Sequence, residues 1–97
     1  MPTYITLTKF TQKGIENIKE SPARLEKVKA AMKAAGGEMK AFYLTLGRYD
    51  IVVVGEAPND EAYATTMLAI SAAGAVRSET LKAFTEDEYK KLIAAIP

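Results

Sequence analysis

Residues 41–60, AFYLTLGRYDIVVVGEAPND, constrain the fold more tightly than any other stretch of the chain. Leu44, Thr45 and Leu46 run into Gly47-Arg48-Tyr49-Asp50, whose glycine and aspartate suit a tight turn. Ile51 through Val54 then form an unbroken β-branched run. Such a run predicts a strand covered on both faces, because a strand with one wet side alternates apolar and polar residues. Ala57-Pro58 ends it, and Asn59 followed by Asp60 and Glu61 predicts a capped helix start with acidic residues at the positive end of the helix dipole. Two strands joined by a short turn and followed at once by a helix leave few architectures open.

With 97 residues, 48% of them apolar, the chain has room for one domain, residues 1–97, near the lower end of what a single core supports. Its formal charge of +1 is interleaved along the helices (Arg24, Glu26, Lys27, Lys29, Lys33), so no one-signed patch invites nucleic acid or an anionic membrane. Neither is expected as a partner. The chain has no cysteine and no histidine, which removes disulfides, thiol chemistry, the usual zinc and haem ligands and the commonest neutral-range base. Glu86, Asp87 and Glu88 read as a helix start and lack the spacing of a calcium loop. No cofactor is expected. The first ten residues, MPTYITLTKF, carry neither a positive leader nor a long apolar segment, and a cytoplasmic location is the default expectation.

Along the chain, residues 4–10 alternate, with Ile5 and Leu7 on one side and Tyr4, Thr6, Thr8 and Phe10 on the other, as a strand would. A short helical turn is predicted over residues 14–19. A long helix then opens at Ser21-Pro22, with Ser21 as cap and Leu25, Val28, Ala31, Met32 and Ala35 as its apolar stripe. Gly36-Gly37 supplies its stop. Strands follow over residues 38–46 and 50–56. The helix after Asn59 buries Tyr63, Met67 and Ile70 and ends at Gly74, a fourth strand covers residues 76–84, and Thr85-Glu86-Asp87-Glu88 matches a capping box for a last helix at about 85–96.

The order βαββαβ with a hairpin between the middle strands is the ferredoxin-like split motif, an α+β fold with a four-stranded antiparallel sheet and helices on one face. Tyr4, Thr6, Thr8, Phe10, Met39, Ala41, Tyr43 and Thr45 are taken as the face left uncovered, aromatic and hydroxylated but without charge at its centre. A patch of that extent predicts a homodimer that packs two sheets together.

The segments PTYITLTKFT, SPARLE, AFYLTLGRYDIVVVGEAP and VRSETLKAFTEDE resemble the GYD-domain family, one of the dimeric α/β-barrel groups with a ferredoxin-like fold. The name-giving element stands here as Gly47, Tyr49 and Asp50 with Arg48 inserted. The resemblance implies a homo-oligomeric domain for assembly or for binding a small molecule. Related barrel groups include cofactor-independent monooxygenases and isomerases, so a cofactor-free enzyme is the alternative, although the histidine and tryptophan such sites often use are missing.

Candidate ligand-binding residues are Tyr4, Thr6, Tyr43, Arg48, Tyr49, Asp50 and Glu79. Arg48, Tyr49 and Asp50 would stand at a barrel mouth, the arginine for a carboxylate or phosphate and the Tyr-Asp pair to orient a polar group. Turn chemistry alone explains the glycine and the aspartate, which could accept backbone N–H bonds within the turn. Tyr4, Tyr43, Thr6, Thr8 and Thr45 could line a pocket, or fill a core or dimer contact. Arg77, Glu79 and Lys82 put charge on the last strand, which suits an edge, while an inward Glu79 would be a candidate base.

Overall fold

The computed structural model describes residues 1–97. Strands β1 (Thr3–Phe10), β2 (Glu38–Leu44), β3 (Ile51–Glu56) and β4 (Val76–Ala83) form one sheet of order β2-β3-β1-β4 with every neighbouring pair antiparallel. Helix α1 (Gln12–Glu16) and a 3₁₀ turn (Ile18–Glu20) lead into α2 (Ser21–Ala34), α3 (Asp60–Ala72) joins β3 to β4, and α4 (Glu86–Ala94) follows the sheet. This is the expected ferredoxin-like α+β arrangement.

Local chemistry sets the element ends. Asn59 accepts from the Ala62 N–H, and Thr85 and Glu88 close the capping box of α4. Gly36, at φ +85°, turns the chain out of α2 while Gly37 N–H bonds the Met32 carbonyl. Ser21 is not the cap of α2 but its first residue: Glu20 holds that place without a side-chain bond, and Pro22 sits in the first turn where no N–H is required.

On β1 the two sheet faces are the reverse of the sequence expectation, while Ala41 and Tyr43 of β2 lie on the uncovered face as expected. On β1, Tyr4, Thr6 and Thr8 are buried beneath the helices, together with Ile51, Val53 and Gly55 of β3. Ile5 and Leu7 lie on the opposite face, paired in register with Val54 and Val52 on one side and with Leu81 and Glu79 on the other. The buried hydroxyls of Tyr4 and Thr6 are tolerated because they find partners there. Tyr63 of α3 stacks on Tyr4 at 4.2 Å between ring centroids and shares a 2.6 Å hydrogen bond with Thr6, which also meets Thr80 at 3.2 Å. An irregularity between Met39 and Ala41 breaks the alternation of β2, so Met39 pairs with Gly55 on the helix side while Ala41 and Tyr43 pair with Val54 and Val52 on the bare side. Val28 and Met67 pack on the core formed by Tyr4, Met32, Ala57 and Tyr63.

The bare face is therefore Ile5, Leu7, Ala41, Tyr43, Val52, Val54 and Leu81, more apolar than the face first assigned to it. Nothing in the chain covers it. Helix α4 makes no more than marginal contact with the other elements, leaving Tyr89, Leu92, Ile93 and Ile96 exposed, and the molecule measures 53 × 30 × 17 Å. No helix is long and apolar enough to cross a membrane.

Candidate functional site

Four of the seven candidate residues divide between opposite faces of the sheet, and Arg48, Tyr49 and Asp50 lie in the β2–β3 turn. Tyr4 and Thr6 belong to the helix side, whereas Tyr43 and Glu79 lie on the bare side, where Tyr49 reaches Glu79 from the β2–β3 turn. A pocket shared by Tyr4, Thr6, Thr8, Tyr43 and Thr45 does not form. Tyr43 is 61% exposed, and the Thr45 hydroxyl donates to the Tyr49 carbonyl at 2.6 Å within the turn.

On the bare side, the turn is built around Gly47, whose φ of +128° favours glycine. Thr45 N–H bonds the Asp50 carbonyl, Asp50 N–H bonds the Thr8 carbonyl, and the Asp50 carboxylate accepts the Phe10 N–H at 3.0 Å. Asp50 thus ties the hairpin to the end of β1 rather than bonding within its own turn. With the backbone so held, the Tyr49 hydroxyl donates to Glu79 at 2.7 Å and Lys9 Nζ stands 5.6 Å from the Tyr49 ring centroid. The bond to Glu79 and partial desolvation push the Tyr49 phenol up, with Arg48 pulling weakly the other way. Glu79 is exposed on an edge strand, so its charge sits at the border of the apolar face.

On the helix side, the Tyr4 hydroxyl donates to Asp60 in the first turn of α3, and Lys82 approaches the same carboxylate at 3.4 Å. Burial, then the bond to Asp60, pushes the Tyr4 phenol up to about 12, and that same bond holds Asp60 below the usual carboxylate range. Tyr63, desolvated, is also pushed up. These phenols stay protonated and Asp60 stays ionised at neutral pH. The group holds β1, α3 and β4 together.

Lys9, Asp60, Tyr63 and Lys82 were not among the candidates. Asp60 and Lys82 were visible only as a helix-dipole acid and an edge-strand charge, and their meeting depends on β4 lying beside β1. At the far end of β2, Lys40 pairs with Glu38 at 3.6 Å and Glu56 at 3.4 Å, which accounts for Glu56 as a paired strand end.

Comparison with known proteins agrees with the architecture. The sequence profile of the GYD domain matches residues 4–93. A protein of Thermus thermophilus named glutamine synthetase and cystathionine beta-lyase binding protein is 36% identical over 84 residues, covering 86% of this chain and 88% of its own. The crystal structure of TTHA0845, also from Thermus thermophilus, superposes with a TM-score of 0.56 at 22% identity, over 88% of this chain and 95% of that one, and shares the fold.

Proposed function

The chain belongs to the GYD domain family, and on that premise we propose that it is a single-domain cytoplasmic binding and assembly protein, a homodimer that docks onto partner proteins. The observation that carries this reading is the bare sheet face, where Ile5, Leu7, Val52, Val54 and Leu81 make one contiguous apolar surface with Tyr43 and Ala41 beside it. A face of this kind exceeds the scattered apolar residues of an ordinary monomer surface. Twofold packing on a second copy buries it against an identical surface and leaves Lys9, Tyr49 and Glu79 at the rim, where charge is tolerated.

The projecting α4 is the docking element. Tyr89, Leu92 and Ile93 follow the i, i+3, i+4 spacing by which a helix enters an apolar groove, Ile96 stands exposed just past the helix end, and the capping box preforms the helix. A relative named for binding glutamine synthetase and cystathionine beta-lyase supports partners of that class. For the alternative of a cofactor-free enzyme, Tyr4, Tyr49 and Tyr63 would serve as acids or as hydrogen-bond donors to an anion rather than as bases, since their phenols are held protonated.

Biolayer interferometry with the purified chain immobilised, and with glutamine synthetase and cystathionine beta-lyase from the same organism as analytes, tests this reading. Saturable binding of either enzyme, lost in the double variant Leu92→Asp/Ile93→Asp while light scattering still reports a dimer, is the expected result. Absence of binding to both enzymes, or binding indifferent to the α4 changes, would overturn the docking assignment.

A further inference from the structure

Between α2, α3 and the helix side of the sheet lies a cavity of about 310 Å³. It reaches the lower end of the range of about 300–1,000 Å³ typical of small-molecule sites and is about ten times the volume of one water. Its walls include Val28, Met32, Phe42, Val53, Met67 and Ile70, and Ala31, Ala69 and Ala73 line its exposed part. Side chains this short leave the space open. A wall so largely apolar offers few bonds to a water cluster, so water is a poor filling for it.

Two neighbouring hydroxyls on the sheet wall of the cavity lack an internal partner. Tyr4, Thr6, Tyr63 and Thr66 all spend their hydroxyls on bonds within the protein. Thr8 is 93% buried and its hydroxyl bonds no other side chain or carbonyl, while Ser78, directly opposite on β4 and exposed at the cavity's edge, likewise makes no such bond. These hydroxyls stand side by side because Thr8 and Ser78 are register partners. Charge, by contrast, is spent or in water. The Arg24 guanidinium donates to the Asn17 carbonyl at 3.1 Å and the Gly14 carbonyl at 3.4 Å and lies 3.9 Å from Glu20, while Lys27 is solvent-exposed.

We propose that this cavity binds an uncharged, largely apolar small molecule through a single hydroxyl or carbonyl group received by Thr8 and Ser78. The apolar body replaces the contacts that the three alanines leave unmade, and the one polar group satisfies the two free hydroxyls. Recognition of this kind selects for size and for a lone polar end. It is separate from the bare sheet face and does not depend on dimerisation.

The test titrates the full chain with N-phenyl-1-naphthylamine, an apolar fluorophore with one N–H group, and displaces it with 1-decanol or decanoate. Saturable enhancement is expected, with 1-decanol the better competitor. Filling the cavity by Val28→Trp or by Ala31→Leu should abolish probe binding in whichever variant retains the wild-type circular dichroism. The isosteric Thr8→Val should weaken 1-decanol about fivefold, the worth of one ordinary hydrogen bond. Binding should survive Leu81→Asp, which alters only the opposite face. No saturable binding to the wild-type chain, a preference for decanoate, unchanged 1-decanol affinity in Thr8→Val, or loss of probe binding in a folded Leu81→Asp chain would each overturn the assignment.

Discussion

Replacing Leu81 by aspartate separates the two faces of the sheet most sharply. Leu81 lies opposite Ile5 on the bare face and is 45% exposed in the single chain. Complete burial of a leucine is worth about 2 kcal/mol, so burying the exposed fraction contributes about 0.9 kcal/mol per subunit. Twofold symmetry doubles this to about 1.8 kcal/mol for the dimer. The substituted carboxylates add a penalty of their own, because each enters an apolar interface two residues from Glu79 with no cation opposite Leu81 in register. At about 1 to 3 kcal/mol for each poorly compensated polar group, the total reaches roughly 4 to 8 kcal/mol, a weakening of dimerisation by about a thousandfold or more. Sedimentation equilibrium over a concentration series measures the constant directly, with circular dichroism as the check on folding. A Leu81→Asp chain that dimerises as tightly as the parent would refute the face-to-face arrangement. Thr6→Lys provides the contrast: Thr6 is 3% exposed beneath the helices, so an ammonium there must unfold the chain and cannot simply yield a folded monomer.

Two further outcomes follow from the helix-side group. Above about pH 10 the unfolded chain ionises a phenol that the folded chain keeps protonated to about 12, so stability falls as pH rises through this window. Tyr63 and Tyr49 add to the loss with the same sign. On the acid side Asp60 loses its stabilising contribution as pH falls below the ordinary carboxylate value, and urea midpoints across pH in wild type and Tyr4→Phe should show both limbs shrinking in the variant. Thr6→Val should cost about 2 kcal/mol, since it leaves the buried Tyr63 hydroxyl without a partner, whereas Tyr63→Phe should cost about 1 kcal/mol because Thr6 retains Thr80. The double variant should be less unstable than the two costs combined; strict additivity in urea unfolding would refute this pairing.

Much of the fold was legible because its signals are local. Asn59 and the Thr85–Glu88 box act within four residues of themselves, the turn glycines are fixed by backbone geometry, and the Ile51–Val54 run announces a strand wherever it stands. Which face met the helices was not legible. Tyr4, Thr6 and Thr8 carry hydroxyls, and a hydroxylated strand face reads as outward until Tyr63, Thr80 and Asp60 arrive from distant parts of the chain to bond it. The irregularity at Lys40 then moved Ala41 and Tyr43 to the face opposite Met39, a shift that residue alternation cannot register. Of the candidate site, Asp50 was correctly read as a backbone acceptor but with the wrong donor. The Tyr49–Glu79 contact spans 30 residues and exists only because β1 lies between β3 and β4.

The margins of the sheet have a consequence of their own. One margin is β4, carrying Arg77, Glu79 and Lys82, and the other is β2, interrupted at Lys40 where that ammonium is drawn to Glu38 and Glu56. Neither offers the long, flat, uncharged row of amides onto which another strand could zip. Lateral growth from chain to chain is blocked at both ends, so crowding this protein should give particles of fixed size rather than fibrils, and its apolar surface can be sticky without becoming a seed for amyloid.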